Sequence, residues 1–193
     1  MSAASVRPSR RERRRLQRGG GERAWLSPRA GLIVLYTTLA AAGAIAYADA
    51  LNQPFMFDDM GAIVDNRSIR QLTDAAVLHP ERETPVAGRP LVNLSFAVNY
   101  AIGGLNVFGY RLWNLALHVL CGLLLFAIVR EALALPGSPA VLSARRNAVG
   151  FVVALLWMVH PLNSEVVLYV TQRTESMMAL FYLLTLYASL RAR

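Results

Sequence analysis

Phe57-Asp58-Asp59 sets two carboxylates side by side, just past the first long apolar run of the chain. A pair of acids where a membrane helix emerges into water suits catalysis on a substrate held at the bilayer surface. Adjacent residues point to opposite sides of a strand, or about 100° apart on a helix. Asp58 and Asp59 are therefore poorly placed to flank one bond, as the paired acids of glycoside hydrolysis do. One is expected to point into a site and the other to hold the loop or meet an acceptor. A simpler reading is an acidic loop that anchors the interface. The pair lacks the Asp-x-Asp spacing of metal–sugar-phosphate sites, and His79 and His160 stand alone, so neither metal nor cofactor is expected. The other groups able to meet an anion or move a proton are Arg89, Arg111, His118, His160, Glu165, Arg173 and Glu175.

These residues need a frame, and the frame is a bilayer. Of the 193 residues 55% are apolar, mean hydropathy is +0.37, and the apolar residues fall in blocks, which excludes an ordinary soluble domain. A crossing takes about 20 apolar residues. Two blocks approach that length and two are shorter, so the expected fold is an all-α polytopic membrane protein of about four transmembrane helices. The spans are read at 30–49, 110–130, 147–162 and 176–190. The connections are 50–109, 131–146 and 163–175, with a tail at 1–29 and an end at 191–193. Residues 1–29 carry nine arginines and two glutamates, a balance of +7. Arginines beside a first span stay in the cytoplasm. Basic residues recur at Arg130, Arg145-Arg146, Arg191 and Arg193, which puts both termini inside. The polar tail is expected to be disordered. Its composition lacks the aromatic interleaving of a nucleic-acid surface, so no nucleic-acid partner is expected. A cleaved signal peptide ending near Ala46-Tyr47-Ala48 is the rival reading of the first run. The length of that run and the spans after it favour retention. Cys121 is the only cysteine, so no internal disulfide is possible.

The outward connection 50–109 is slightly acidic and long enough to be functional. Asn66 can cap a short helix ending before His79-Pro80. Arg67, Arg70 and Arg82 read as a solvated face. Between Arg89 and Tyr100, Asn93, Phe96, Asn99 and Tyr100 recur at helical spacing, which predicts an amphipathic helix on the membrane surface, ended by Gly103-Gly104. Arg111, Asn114 and His118 share one stripe of the second span. A polar residue inside a span is a functional candidate by default, and the plain alternative for His118 is a hydrogen bond between helices. Without covering helices this stripe would face lipid. Gly150 and Ala154 offer a small-residue contact face. His160-Pro161 closes the third span, and His160 can serve there as a helix cap. Glu165 and Glu175 can pair with Arg173 or touch a substrate.

The order of these features carries a resemblance. A span is followed by Phe57-Asp58-Asp59, Arg89-Pro90-Leu91, Asn99-Tyr100, Asn114-x-x-x-His118, His160-Pro161-x-x-x-Glu165 and Arg173-x-Glu175. Over roughly residues 30–193 the chain resembles the start of the transmembrane and tetratricopeptide-repeat O-mannosyltransferases and their bacterial relatives. More broadly it is similar to the GT-C glycosyltransferases. Arg111 stands where such proteins often have His. The family has more spans and usually a repeat domain after them, so the chain looks like an N-terminal part, expected to insert but not to catalyse transfer alone.

The resemblance implies a polyprenyl- or dolichyl-phosphate sugar as donor, with mannose as one candidate sugar. It implies a protein or glycan acceptor and transfer at the outer or lumenal face. A bacterial inner membrane is the expected location. A phosphate ester leaves as an anion without a general acid, so one base suffices. By analogy with the family's acidic motif that base is Asp58, with Asp59 as the alternative. Arg89, Arg111 and Arg173 are the expected phosphate contacts, since Arg offers paired N–H donors. His118, His160, Glu165 and Glu175 complete the expected substrate and lipid-phosphate set. The competing functions are a transport subunit, with His118 and the arginines as a pathway, and a non-catalytic membrane scaffold.

Overall fold

The computed structural model describes residues 27–193. Most of the basic tail, with the disorder expected of it, lies outside the described residues. The chain divides into Met1–Val34 and Leu35–Arg193, and the tertiary contacts below belong to the second unit. No strand occurs among the described residues.

Helix α1 (Pro28–Ala46) starts where Ser27 Oγ accepts the Ala30 N–H and Pro28 sets the first turn. Its 19 residues reach about 28 Å at 1.5 Å each, the thickness of a hydrocarbon core. Helix α2 (Pro90–Gly103) opens on a proline and ends at Gly104, whose φ of 59° favours glycine. Helix α3 (Val107–Ala132) is capped by Asn106, which accepts the Phe108 N–H at 3.1 Å. Short α4 (Ala140–Ala144) leads into α5 (Arg146–Met158), then α6 (Ser164–Leu168) and α7 (Arg173–Arg191).

Helices α1 and α3 are long and apolar enough to cross a membrane. A third span arises if α5 and the segment Pro161–Leu168, bent from it by 55°, count as one. Helix α7 has the length, 19 residues, but is less apolar. The bend has a chemical cause. Pro161 cannot donate a backbone hydrogen bond, so the last carbonyls of α5 need other donors. Asn163 Nδ2 supplies one to Trp157 O at 2.6 Å, and His118 Nε2 and the Tyr47 hydroxyl supply Met158 O.

Helix α3 is the axis of the unit, with α5 and α7 packed along it. Gly150 lets α5 approach closely, because a Cβ there would lie 3.1 Å from the Phe126 ring. Ala154 is fully buried on the same face.

The connection between α1 and α2 has its own core. Ala62, Ile63, Ile69, Val77 and Val86 pack with Val92, Phe96 and Ala97 of α2 and with Tyr110 and Val170. The single helix expected from Asn66 to His79 is replaced by two short 3-10 turns, Arg67–Ile69 and Ala75–Leu78, capped by Asn66 and Asp74. Leu72-Thr73-Asp74 interrupts the run and Asp74 restarts it, so one continuous helix does not form. The polar face of α2 turns inward. Buried Asn93 donates to Val77 O and Ser68 Oγ, both at 2.8 Å, and accepts from Asn66. Arg70, expected on a solvated face, instead donates to Ile63 O and Val64 O, with its guanidinium 4.3 Å over the Tyr100 ring. The two carbonyls at the end of the Met60–Val64 turn lack helical partners, and Arg70 provides them.

Candidate functional site

The acidic loop is tied to the segment between α6 and α7. Asp59 is fully buried and accepts three hydrogen bonds: Thr171 N at 2.8 Å, Thr171 Oγ1 at 2.7 Å and Met56 N at 3.2 Å. Asp58 remains exposed, and its backbone N–H donates to the Tyr169 hydroxyl at 3.1 Å. Phe57, between loop and site, has φ 49°, a left-handed conformation that an aromatic side chain rarely adopts. Its ring is 82% exposed and meets Tyr169 edge-on at 6.4 Å. Burial raises the Tyr169 phenol above its ordinary value, and the Asp58 carboxylate adds to the rise.

Arg111 makes the second tie. One end of its guanidinium donates to Pro54 O at 2.5 Å and the other to Leu168 O, so one α3 side chain joins both loops. Asn114, one turn further, donates to Val170 O at 3.1 Å and to Val166 O and Tyr169 O at 3.3 Å. Its Oδ1 accepts Arg173 Nε at 2.9 Å. Arg173 also donates to Asn99 Oδ1 at 2.7 Å, Ser95 Oγ at 3.1 Å and Tyr110 O at 2.9 Å. Phe96, Trp113 and Tyr110 surround it with rings at 4.5, 5.6 and 5.8 Å.

Arg111 and Arg173 are thus fully buried, and neither presents an edge to a phosphate outside. Arg111 meets two carbonyls, and Arg173 meets carbonyl, amide and hydroxyl oxygens and ring faces, which suits a weakly hydrated guanidinium. The pairing of Arg173 with Glu165 or Glu175 does not form. The ion pair found among the described residues is Arg191–Glu131, at 4.0 Å. The stripe Arg111–Asn114–His118, expected to face lipid without further helices, is instead covered by residues 158–173. Arg111 Nη1, Asn114 Nδ2 and His118 Nε2 find carbonyls there, while Arg111 Nε is buried without a partner.

His118 donates through Nε2 to Met158 O at 2.9 Å. The carbonyl can only accept, so Nε2 carries the proton. Trp157 stacks on the imidazole at 4.7 Å and Tyr47 meets it edge-on at 5.3 Å. Exposed His160 caps the Pro161–Asn163 turn, where Nδ1 accepts the Leu162 N–H at 3.3 Å. Exposed Glu165 reaches Gln172 Nε2 at 3.5 Å. Arg89, also exposed, donates to Pro85 O at 2.9 Å. Glu175, His118, Trp157 and Ser176 line a cavity of about 250 Å³ beside α3. The acidic loop is therefore joined to Arg111 through Pro54 O and to the 168–173 segment through Asp59 and Thr171, and Arg89 stands apart.

Tyr169 and Thr171 are the main residues that sequence reasoning passed over. Both lie in the stretch 163–175, where polar and apolar residues interleave, and no motif singles them out.

The fold and the tie between the 54–59 and 168–173 segments define a helical membrane protein with an exposed carboxylate held at the ends of its helices. Comparison with known proteins shows what the chain is similar to. Protein O-mannosyl-transferase Tmtc3 of Drosophila melanogaster is 32% identical over 201 residues, which cover 94% of this chain and 20% of that protein. Protein O-mannosyl-transferase TMTC1 of Mus musculus is 31% identical, over 86% of this chain and 18% of that protein. Protein O-mannosyl-transferase Tmtc1 of Drosophila melanogaster is 33% identical, over 79% and 18% respectively. The chain is a homologue of the TMTC protein O-mannosyl-transferases. It spans about a fifth of the length of the curated relatives it matches. No family model matches the chain, and no solved structure matches it.

Proposed function

We propose that this chain carries the acceptor-activating part of a membrane O-mannosyl-transferase of GT-C type. Asp58 is its base, and the donor is a polyprenyl- or dolichyl-phosphate mannose. The relatives' names support the reaction class. The observation that supports the site is the contrast within the acidic pair: Asp59 is spent on three hydrogen bonds, while the Asp58 side chain stays exposed beside Tyr169.

In this reading the Asp58 carboxylate takes the proton of an acceptor hydroxyl on a protein. The hydroxyl oxygen bonds to the anomeric carbon of the sugar. The bond from that carbon to the phosphate oxygen breaks, and the lipid phosphate leaves with the electron pair. Arg89, His160, Glu165 and Glu175 are the groups open to substrate or head group. Arg111, His118 and Arg173 hold the outer surface in shape beneath them. The proposed arrangement has four spans, with α7 the last, both termini cytoplasmic and the 50–109 connection outside, in a bacterial inner membrane.

The test uses the protein expressed from its own gene, purified in detergent and given polyprenyl-phosphate mannose with a Ser/Thr peptide. Asp58→Asn keeps the shape and removes the proton acceptor, so turnover is expected to fall about 10²–10⁴-fold. Full turnover in Asp58→Asn with loss in Asp59→Asn would exchange the two roles. Full turnover in both would end the acidic-pair reading.

A further inference from the structure

We infer that Tyr169 is a positioning residue for Asp58, a hydroxyl-and-ring hold on a strained loop that is anchored from below by Arg111 and Asn114. The inference deepens the transferase reading and rests on it for its catalytic consequence. The contact itself does not.

The argument begins with Phe57. A left-handed φ at a non-glycine residue is unfavourable, and it persists only where neighbours over-determine it. Phe57 has φ 49° and gains little burial in return, since its ring is 82% exposed. Something else must keep the turn, and the contacts show what. Upstream, the Pro54 carbonyl is taken by Arg111. Downstream, Asp59 is bound to Thr171. Between these anchors the turn has its own backbone bonds, Asp59 N–H to Met56 O at 2.9 Å and Met60 N–H to Phe57 O at 3.1 Å, and from outside it Tyr169 touches both Phe57 and Asp58. Its hydroxyl accepts the Asp58 N–H at 3.1 Å, and its ring meets Phe57 edge-on.

Tyr169 can hold only if it is itself held. Its backbone is extended, with φ −99° and ψ 107°, between the end of α6 and the Val170–Gln172 turn. Its own carbonyl accepts Asn114, the preceding carbonyl accepts Arg111 and the following one accepts Asn114. Three consecutive carbonyls are thus fixed by two buried side chains of α3. Rigid α3 sets the Tyr169 backbone, and Tyr169 sets the direction in which Asp58 leaves the chain. In the transferase reading this directs the Asp58 carboxylate toward the acceptor hydroxyl. Removing the hydroxyl of Tyr169 should leave substrate binding intact and lower the fraction of time that Asp58 is aimed.

The experiment uses Tyr169→Phe in the protein as expressed, with two readouts. Amide hydrogen exchange at Asp58 is expected to rise about tenfold, the scale of one lost hydrogen bond. Mannosyl transfer is expected to lose a similar factor in kcat, with acceptor KM within about twofold, because the interaction is not one with the bound acceptor. A second variant separates positioning from general loosening. Phe57→Asn tolerates a left-handed φ better than Phe, so adding it to Tyr169→Phe should restore part of the lost kcat. Unchanged exchange at Asp58 overturns the hold. Faster exchange with unchanged kcat overturns the positioning role, and so does a loss that appears in KM alone or that Phe57→Asn fails to restore. If the unsubstituted protein transfers no mannose, the transferase reading falls by itself. Exchange at Asp58 then decides whether Tyr169 holds the loop.

Discussion

Arg173 shows how much a single buried side chain organises here. It donates to three side chains and one carbonyl, drawn from α2 and α3, and no carboxylate joins the set. Lys keeps the charge but not the planar fork, and it offers three donors from one point. Arg173→Lys therefore leaves some of Asn114, Asn99 and Ser95 unpaired in the interior. The expected cost is about 2–4 kcal/mol, seen as a lower midpoint of thermal unfolding in detergent. A midpoint equal to that of the unsubstituted protein would show that water or rearrangement replaces these bonds. Asp59 is the acidic counterpart. Its three acceptor bonds set it apart from its exposed neighbour, although the sequence presents the two carboxylates alike.

The helix pair α3–α5 depends on a small residue. A Cβ on Gly150 would lie 3.1 Å from Phe126 Cδ2 and 3.3 Å from Arg130 Cγ. Leucine at this position must push the two helices apart. Gly150→Leu is expected to destabilise the unit by about 1–3 kcal/mol, the usual range for overpacking, in the same unfolding assay. The consequence reaches the outer surface. Helix α5 delivers Met158 O to His118, and the bend at Pro161 then brings α6 and Tyr169 back over α3. A shift of α5 should therefore raise exchange at Asp58 as well. No such rise would show that the outer segment is held by Arg111 and Asn114 alone.

For the whole molecule the testable property is which side of the bilayer each connection meets. The arginine asymmetry predicts 50–109 outside and 131–146 inside. Thr73 and Ala144 are exposed in these two connections and make good reporters. Ser68 is not suitable, because its hydroxyl donates to Asn66 and accepts from Asn93. In a Cys121→Ala background, an impermeant thiol reagent added outside should label Thr73→Cys and spare Ala144→Cys. The reverse pattern would overturn the orientation and, with it, the outward placement of Asp58.

The apolar runs, the cap at Asn66 and the stop at Gly103-Gly104 were legible in the sequence, because they depend on neighbours along the chain. Helical spacing likewise showed that Arg111, Asn114 and His118 share a face. The resemblance to O-mannosyltransferases was legible from the order of short motifs. Spacing along one helix says nothing about the element that covers it, so the sequence left open what covers the polar stripe. Only the tertiary structure laid residues 158–173 across it, because a bend at Pro161 exposes carbonyls that need donors and the stripe has donors to give. For the same reason two of the three arginines read as phosphate contacts are buried, Arg111 between two loops and Arg173 among α2 and α3, while Arg89 stays exposed. The partners of Asp59 and Asp58 lie 112 and 111 residues away, and contacts at that separation follow from the packing of α3, α5 and α7 rather than from any local pattern.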